Sequence, residues 1–155
     1  MRFWRAGLVI FVFASGGRGA DWPQFRVPVL DTRLKNKDEV LGLLLPAEGG
    51  GLQAVAFSAD FLRRQPVHHA RFGAHSLVIL TSPAGANRVY DAGAHRLTGW
   101  TGPTTVRDAA GATWEVGEEA VVRQDGSGVR LPRRTAFRAF WFGWFAQFPD
   151  TELVK

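Results

Sequence analysis

Apolar residues keep two different rhythms along this chain. From Val40 to Leu131 they come in runs of three to six residues, separated by Gly, Pro, Asp and Ser. Such runs between turn residues predict short β-strands. Val40 to Leu45 and Leu52 to Phe57 flank Pro46 and Gly49-Gly50-Gly51, the pattern of a hairpin with a longer Gly-rich loop. Ser58 is placed to N-cap a short helix, Ala59 to Arg64, which Pro66 would stop. Val67 to Phe72 and Ser76 to Thr81 follow as strands, and SLVILT is apolar enough for a central one. Asn87 to Tyr90, Arg96 to Trp100, Thr104 to Arg107, Thr113 to Val116 and Val129 to Leu131 complete the set, with Glu118 to Arg123 ambiguous between strand and helical turn.

The second rhythm is helical. Phe137, Phe140, Trp141, Trp144, Phe145 and Phe148 recur at i, i+3, i+4, i+7, i+8 and i+11. This spacing predicts a C-terminal helix near 135–148 with its rings on one face. Thr135, Ala139 and Gly143 would form a small-residue stripe beside them, and Pro149 would end the helix. The fold class that follows is mainly β (α+β). An antiparallel sheet or partly open barrel of short strands carries a short helix near 59–64 and is closed by the aromatic helix.

The N-terminal region obeys neither rhythm. Arg2 and Arg5 precede an apolar core, Ala6 to Ala14, and small residues follow to Ala20. Residues 1–20 therefore read as a signal peptide, too short in apolar length for the ~20 residues of a transmembrane helix. A first core element of a chain cut from a longer protein is the alternative. Asp21 to Asp38 holds Pro23 and Pro28 and reads as an extended arm anchored by Trp22, Phe25, Val27 and Val29. Arg33, Lys35 and Lys37 with Asp31, Asp38 and Glu39 read as a solvated turn. Residues 21–155 are expected to form a single β-rich domain, secreted or periplasmic if the signal is real.

Charge and composition narrow the function classes. The net charge is +5, but Arg2, Arg5 and Arg18 lie in the first twenty residues, where there is no acid. Nineteen basic residues less these three leave 16 against 14 acidic, so nucleic acid is an unlikely partner. The absence of cysteine removes thiolate metal sites, disulfides and cysteine nucleophiles.

Candidate chemistry is sparse. His68 and His69 are adjacent and point to opposite faces of a strand, while His75 and His95 lie in later turns. No carboxylate stands at helical spacing from a histidine, so no metal and no cofactor is expected. Ser58, Ser76 and Ser82 lack the Gly-x-Ser-x-Gly elbow. Glu115, Glu118 and Glu119 read as the wet face of a strand and its turn. Gly49-Gly50-Gly51 lacks the lysine of a phosphate loop. Arg133, Arg134 and Arg138 suggest either an anion site or pairing with the acidic 115–119 segment. The turn after the central strand, Ser82-Pro83-Ala84-Gly85, is the place for a residual pocket walled by Phe57, His69 and Tyr90. Ser82, His69, His75 and Tyr90 are accordingly the candidate ligand-binding residues, and the plainer alternative is that the turn has closed over and binds nothing.

Several motifs in order carry a resemblance. Asp38-Glu39-Val40-Leu41-Gly42, Ala54-Val55-Ala56-Phe57, Asp108-Ala109-Ala110-Gly111-Ala112-Thr113-Trp114 and Gly128-Val129-Arg130-Leu131-Pro132 come first. Ala139-Phe140-Trp141-Phe142-Gly143-Trp144 and Phe148-Pro149-Asp150-Thr151-Glu152-Leu153 follow. From about Trp22 to Val154 the chain resembles domain-of-unknown-function family 3179 of bacteria and archaea. The resemblance implies a domain of often exported bacterial proteins with no established activity. Fuller members carry a His-Glu-Ile-Val-Asn-Asp run after the first short helix and a Cys-Pro-Leu-Cys-Gly turn after the central strand. Here these become Gln65-Pro66-Val67-His68-His69-Ala70 and Ser82-Pro83-Ala84-Gly85. The expectation is a non-catalytic binding or structural domain of the bacterial cell envelope, its partner an envelope protein or small ligand. The alternative is an enzyme of unknown reaction with a site near the Ser82 turn and His69.

Overall fold

The computed structural model describes residues 31–155. The proposed signal segment and the anchors Trp22, Phe25, Val27 and Val29 lie outside the described residues. Two sheets organise the rest. The smaller has four strands in the order β11-β1-β2-β12, where β1 is Glu39–Pro46, β2 Leu52–Ser58, β11 Phe137–Phe140 and β12 Glu152–Val154. The larger has eight, in the order β3-β4-β5-β10-β9-β8-β7-β6, all antiparallel and nearly closed into a barrel. Its strands are β3 Val67–Phe72, β4 His75–Thr81, β5 Asn87–Asp91, β6 Leu97–Trp100, β7 Thr105–Asp108, β8 Thr113–Val116, β9 Ala120–Arg123 and β10 Arg130–Arg134. Helix α1, Ala59–Arg64, has the bounds that the sequence predicts, and Ser58 Oγ accepts from the Phe61 N–H at its start.

Side-chain alternation along these strands creates three cores. Leu41, Leu43 and Leu45 of β1 and Val55 and Phe57 of β2 meet Leu77, Ile79 and Val89 of the larger sheet. The opposite side chains of β4 and β5, Val78, Leu80 and Tyr90, fill the barrel interior with Leu97, Val106, Trp114, Val121 and Leu131. Strand β4 is therefore buried on both faces, which is why its sequence is continuously apolar and not alternating. The third core lies on the outer face of the small sheet, where Val40 and Ala56 pack against Trp141 and Trp144 of α2 (Trp141–Gln147).

The C-terminal aromatic segment differs from its prediction. Only Trp141–Gln147 is helical, and Phe137–Phe140 is a strand that pairs with β1, Glu39↔Phe140 through Gly42↔Phe137. An unpaired β1 edge would leave backbone donors and acceptors open, and this segment closes it. A helix begun at Thr135 would also set Arg133, Arg134 and Arg138 against the positive end of its dipole. The result splits the six rings. Trp141 and Trp144 are buried and Phe145 and Phe148 pack beside them, whereas Phe137 and Phe140 are 48% and 49% exposed. The small-residue stripe does not form either: Thr135 and Ala139 precede the helix, and nothing lies near a Cβ built on Gly143.

Close approach occurs instead at Gly42. A Cβ there would stand closer than 3.0 Å to ring carbons of Trp144. The α2 start has no side-chain cap; the Trp141 and Phe142 N–H groups donate to the Asp38 and Asn36 carbonyls at 2.8 and 3.1 Å. The 31–38 segment is thus more than a solvated turn. Arg33 pairs with Asp31, lies over the Trp141 and Phe145 rings at 5.1 and 5.5 Å, and donates to the Thr151 carbonyl.

Candidate functional site

Strand register decides which candidate residues meet. His69, Val78, Tyr90 and Arg133 are consecutive partners across β3, β4, β5 and β10 and form one row on the interior side of the near-barrel. Ser82 follows β4 at one rim, and His75 begins β4 at the other. Strand β4 thus brings His69 and Tyr90 to one row but holds Ser82 and His75 apart. Phe57 belongs to the core on the opposite face of β4, where it packs against Phe72, so it does not wall a cavity with His69 and Tyr90.

Each of these side chains makes a bond to main chain. His69 Nε2 donates to the Leu97 carbonyl at 2.9 Å, and His75 Nε2 to the Pro46 carbonyl at 2.9 Å. Tyr90 is fully buried, and its hydroxyl donates to the Gly117 carbonyl at 2.7 Å. Ser82 Oγ accepts from the Ala86 N–H at 3.1 Å within a turn also closed by Ser82 N–H to Ala86 O and Gly85 N–H to Ser82 O.

The bond from His69 has a structural setting. Among the described residues no backbone ladder joins β3 to β6, the two ends of the eight-stranded sheet. His69 to Leu97 O and Trp100 Nε1 to Pro66 O, at 3.4 Å, cross that seam. Burial pushes the His69 imidazolium down against the Leu97 bond, which favours it, and the nearby Arg96 charge adds to the lowering. The same two causes act on His68, through burial and its neighbour His69, and its ring meets Phe61 and Phe57 edge-on. His95 lies against Trp114. Among the described residues no three His, Asp or Glu side chains gather to hold a metal.

The rim that carries Ser82 also carries charge. Glu118, in the turn between β8 and β9, accepts from Arg88 through Oε1 and from Arg133 through Oε2, the latter at 2.6 Å. Arg134 pairs with Asp91 at 2.7 Å, and Arg138 with Glu39. The acidic segment therefore neutralises Arg133, while its two neighbours find acids that only the fold brings near. Beside Glu118 lies a groove of about 620 Å³, lined by Glu118, Glu119, Arg130 and the stretch from Pro132 through Ala136. A second groove, of about 580 Å³, runs along residues 31–38. Neither is lined by Ser82 or His69. Sequence reasoning missed Arg88 altogether, because its partner is thirty residues away in a different hairpin.

A family model described as a protein of unknown function, DUF3179, matches residues 13–151. The chain belongs to this family. No curated protein and no solved structure matched the chain. The motifs that resemble DUF3179 turn out to be scaffold here. Asp108 Oδ1 accepts the Ala110 and Ala112 N–H groups at 3.0 and 2.9 Å, and Oδ2 accepts the Trp114 indole at 2.9 Å. Gly111 supplies the positive φ of +89° that this turn needs. Burial would raise the Asp108 pKa, but the Trp114, Ala112 and Ala110 bonds hold it below the usual carboxylate range. In the C-terminal motif, Trp144 Nε1 donates to Thr151 Oγ1 at 2.9 Å. The two runs that depart from fuller family members, 65–70 and 82–85, stand side by side, since Thr81 N–H donates to Pro66 O at 2.8 Å.

Proposed function

We propose that this DUF3179 chain is a non-catalytic binding or structural domain of the bacterial cell envelope. On this reading residues 1–20 are a signal peptide and residues 21–155 are its one domain, secreted or periplasmic. The observation that carries the reading is the bonding of the candidate groups. Ser82, His69 and Tyr90 are each tied to main-chain atoms that close a turn, a seam or a barrel rim, and His75 is tied to the Pro46 carbonyl of the other sheet. A nucleophile and its base need to lie within hydrogen-bond reach of one another, and the register separates Ser82 from His69. Among the described residues no helix is long and apolar enough to cross a membrane.

Expression of the full chain in a bacterial host, with cell fractionation and mass spectrometry, tests the location. A mature envelope protein lacking residues 1–20 is expected; an intact Met1 in the cytoplasm would overturn it. Exposure of the mature protein to a fluorophosphonate probe tests the rest. No labelling is expected, and a labelled Ser82 would replace this reading by an enzyme with its site at that turn.

A further inference from the structure

The two arginines at the charged rim stand on strands of the near-barrel, and the acid between them stands on a turn whose Glu118 carbonyl also accepts from Arg133 at 3.1 Å. Arg88 is on β5 and Arg133 on β10, strands joined directly by the Tyr90↔Arg133 and Val89↔Arg134 pairs. Their side chains are only 26% and 35% exposed. Glu118 belongs to the turn after β8 and is 70% exposed. Its carboxylate gives one oxygen to each guanidinium, the arrangement that a planar carboxylate adopts between two forked donors. The groove beside it opens onto Arg130, which is exposed and has no ion pair among the described residues.

We propose that Arg88 and Arg133 form a carboxylate-binding site which Glu118 fills from within the chain, and that an acidic peptide lying in the groove displaces it. This deepens the binding-domain reading and rests on it. The exchange replaces one carboxylate by another, so neither arginine is left unpaired. Arg88 and Arg133 hold the Glu118 carboxyl below the usual range, so the site is filled by a charged group at neutral pH. A tethered carboxylate acts as a competitor at an effective concentration of roughly millimolar or more. The intact protein is therefore a weak binder whose site opens when Glu118 is withdrawn. Arg130 offers a partner to a second acid, which selects peptides with several carboxylates over a single one.

Titration of the full chain with a fluorescent hexaglutamate peptide at low salt tests this. Glu118→Ala is expected to tighten binding by about tenfold or more relative to the unsubstituted protein. Adding Arg133→Gln to Glu118→Ala should abolish that gain. Thermal melts of both variants check that the fold survives. The proposal is overturned if Glu118→Ala folds and binds hexaglutamate no better, or if tripolyphosphate binds the variant as tightly as the peptide, which would reduce the site to general charge attraction. Such a failure leaves the envelope reading standing on its own tests, while a labelled Ser82 would remove that reading without altering the titration.

Discussion

In the near-barrel, every neighbouring pair of strands except β5–β10 is consecutive in the chain, whereas in the four-stranded sheet only β1–β2 is. Each region has a buried tryptophan held by a side chain a few residues away, Trp114 by Asp108 and Trp144 by Thr151. Trp114 then packs among strands of its own run of hairpins. Trp144 packs on Gly42, Val40 and Ala56, about a hundred residues earlier. Local pairing closes short loops and announces itself through turn residues. Distant pairing pays a larger closure entropy and leaves no mark at the turn. The small sheet therefore depends on a few large contacts between chain ends, and the near-barrel on many small ones.

Truncating the tryptophans probes this dependence most strongly. Trp141→Ala, Trp144→Ala and Trp114→Ala should each cost about 3–5 kcal/mol in chemical denaturation. The two sheets share the Leu41–Phe57–Ile79 core, so each loss should appear as one shifted transition. An unchanged midpoint for Trp144→Ala would mean that the small sheet adds nothing to stability.

Gly42→Ala isolates the long-range contact. The Trp144 ring is pinned by its bond to Thr151 and cannot retreat freely, so overpacking should cost about 3 kcal/mol. Combining it with Trp144→Phe should recover part of that loss, read as coupling in a double-mutant cycle. Strict additivity would show that the two residues do not press on each other.

Asp108→Asn strikes the local anchor and should cost about 2 kcal/mol, because one acceptor becomes a donor facing an N–H. The same residue makes a pH prediction. Its folded pKa lies below its unfolded one, so its contribution is complete above about pH 3.9 and fades as pH falls toward the folded value. The melting temperature of the unsubstituted protein should fall more steeply below about pH 4 than that of Asp108→Asn. Parallel curves would remove Asp108 as the source.

Phe137→Ser and Phe140→Ser should have the smallest effect, within about 0.5 kcal/mol by equilibrium unfolding, since both rings are half exposed. A loss on the scale of the tryptophans would restore them to the core and join the two halves of the aromatic segment again.

By itself the sequence determined the mainly β fold, the bounds of α1, β3 and β8, and the burial of Trp141 and Trp144. It did so because apolar runs, turn residues and caps act over a few positions. Even the Asp108–Trp114 anchor stands within one motif. Distant pairing, by contrast, exists only in the folded chain. Phe137–Phe140 reads as helix by spacing and is a strand because β1 has an open edge beside it. Glu152–Val154 carries no strand signal of its own and exists through its parallel pairing with β2. The candidate site follows the same division. Ser82, His69, His75 and Tyr90 were legible as residue types, but their separation along β4 and their main-chain partners were not. Arg88 meets Glu118 only because two hairpins close into one rim, and a charge pair formed across strands leaves no periodic trace in the chain.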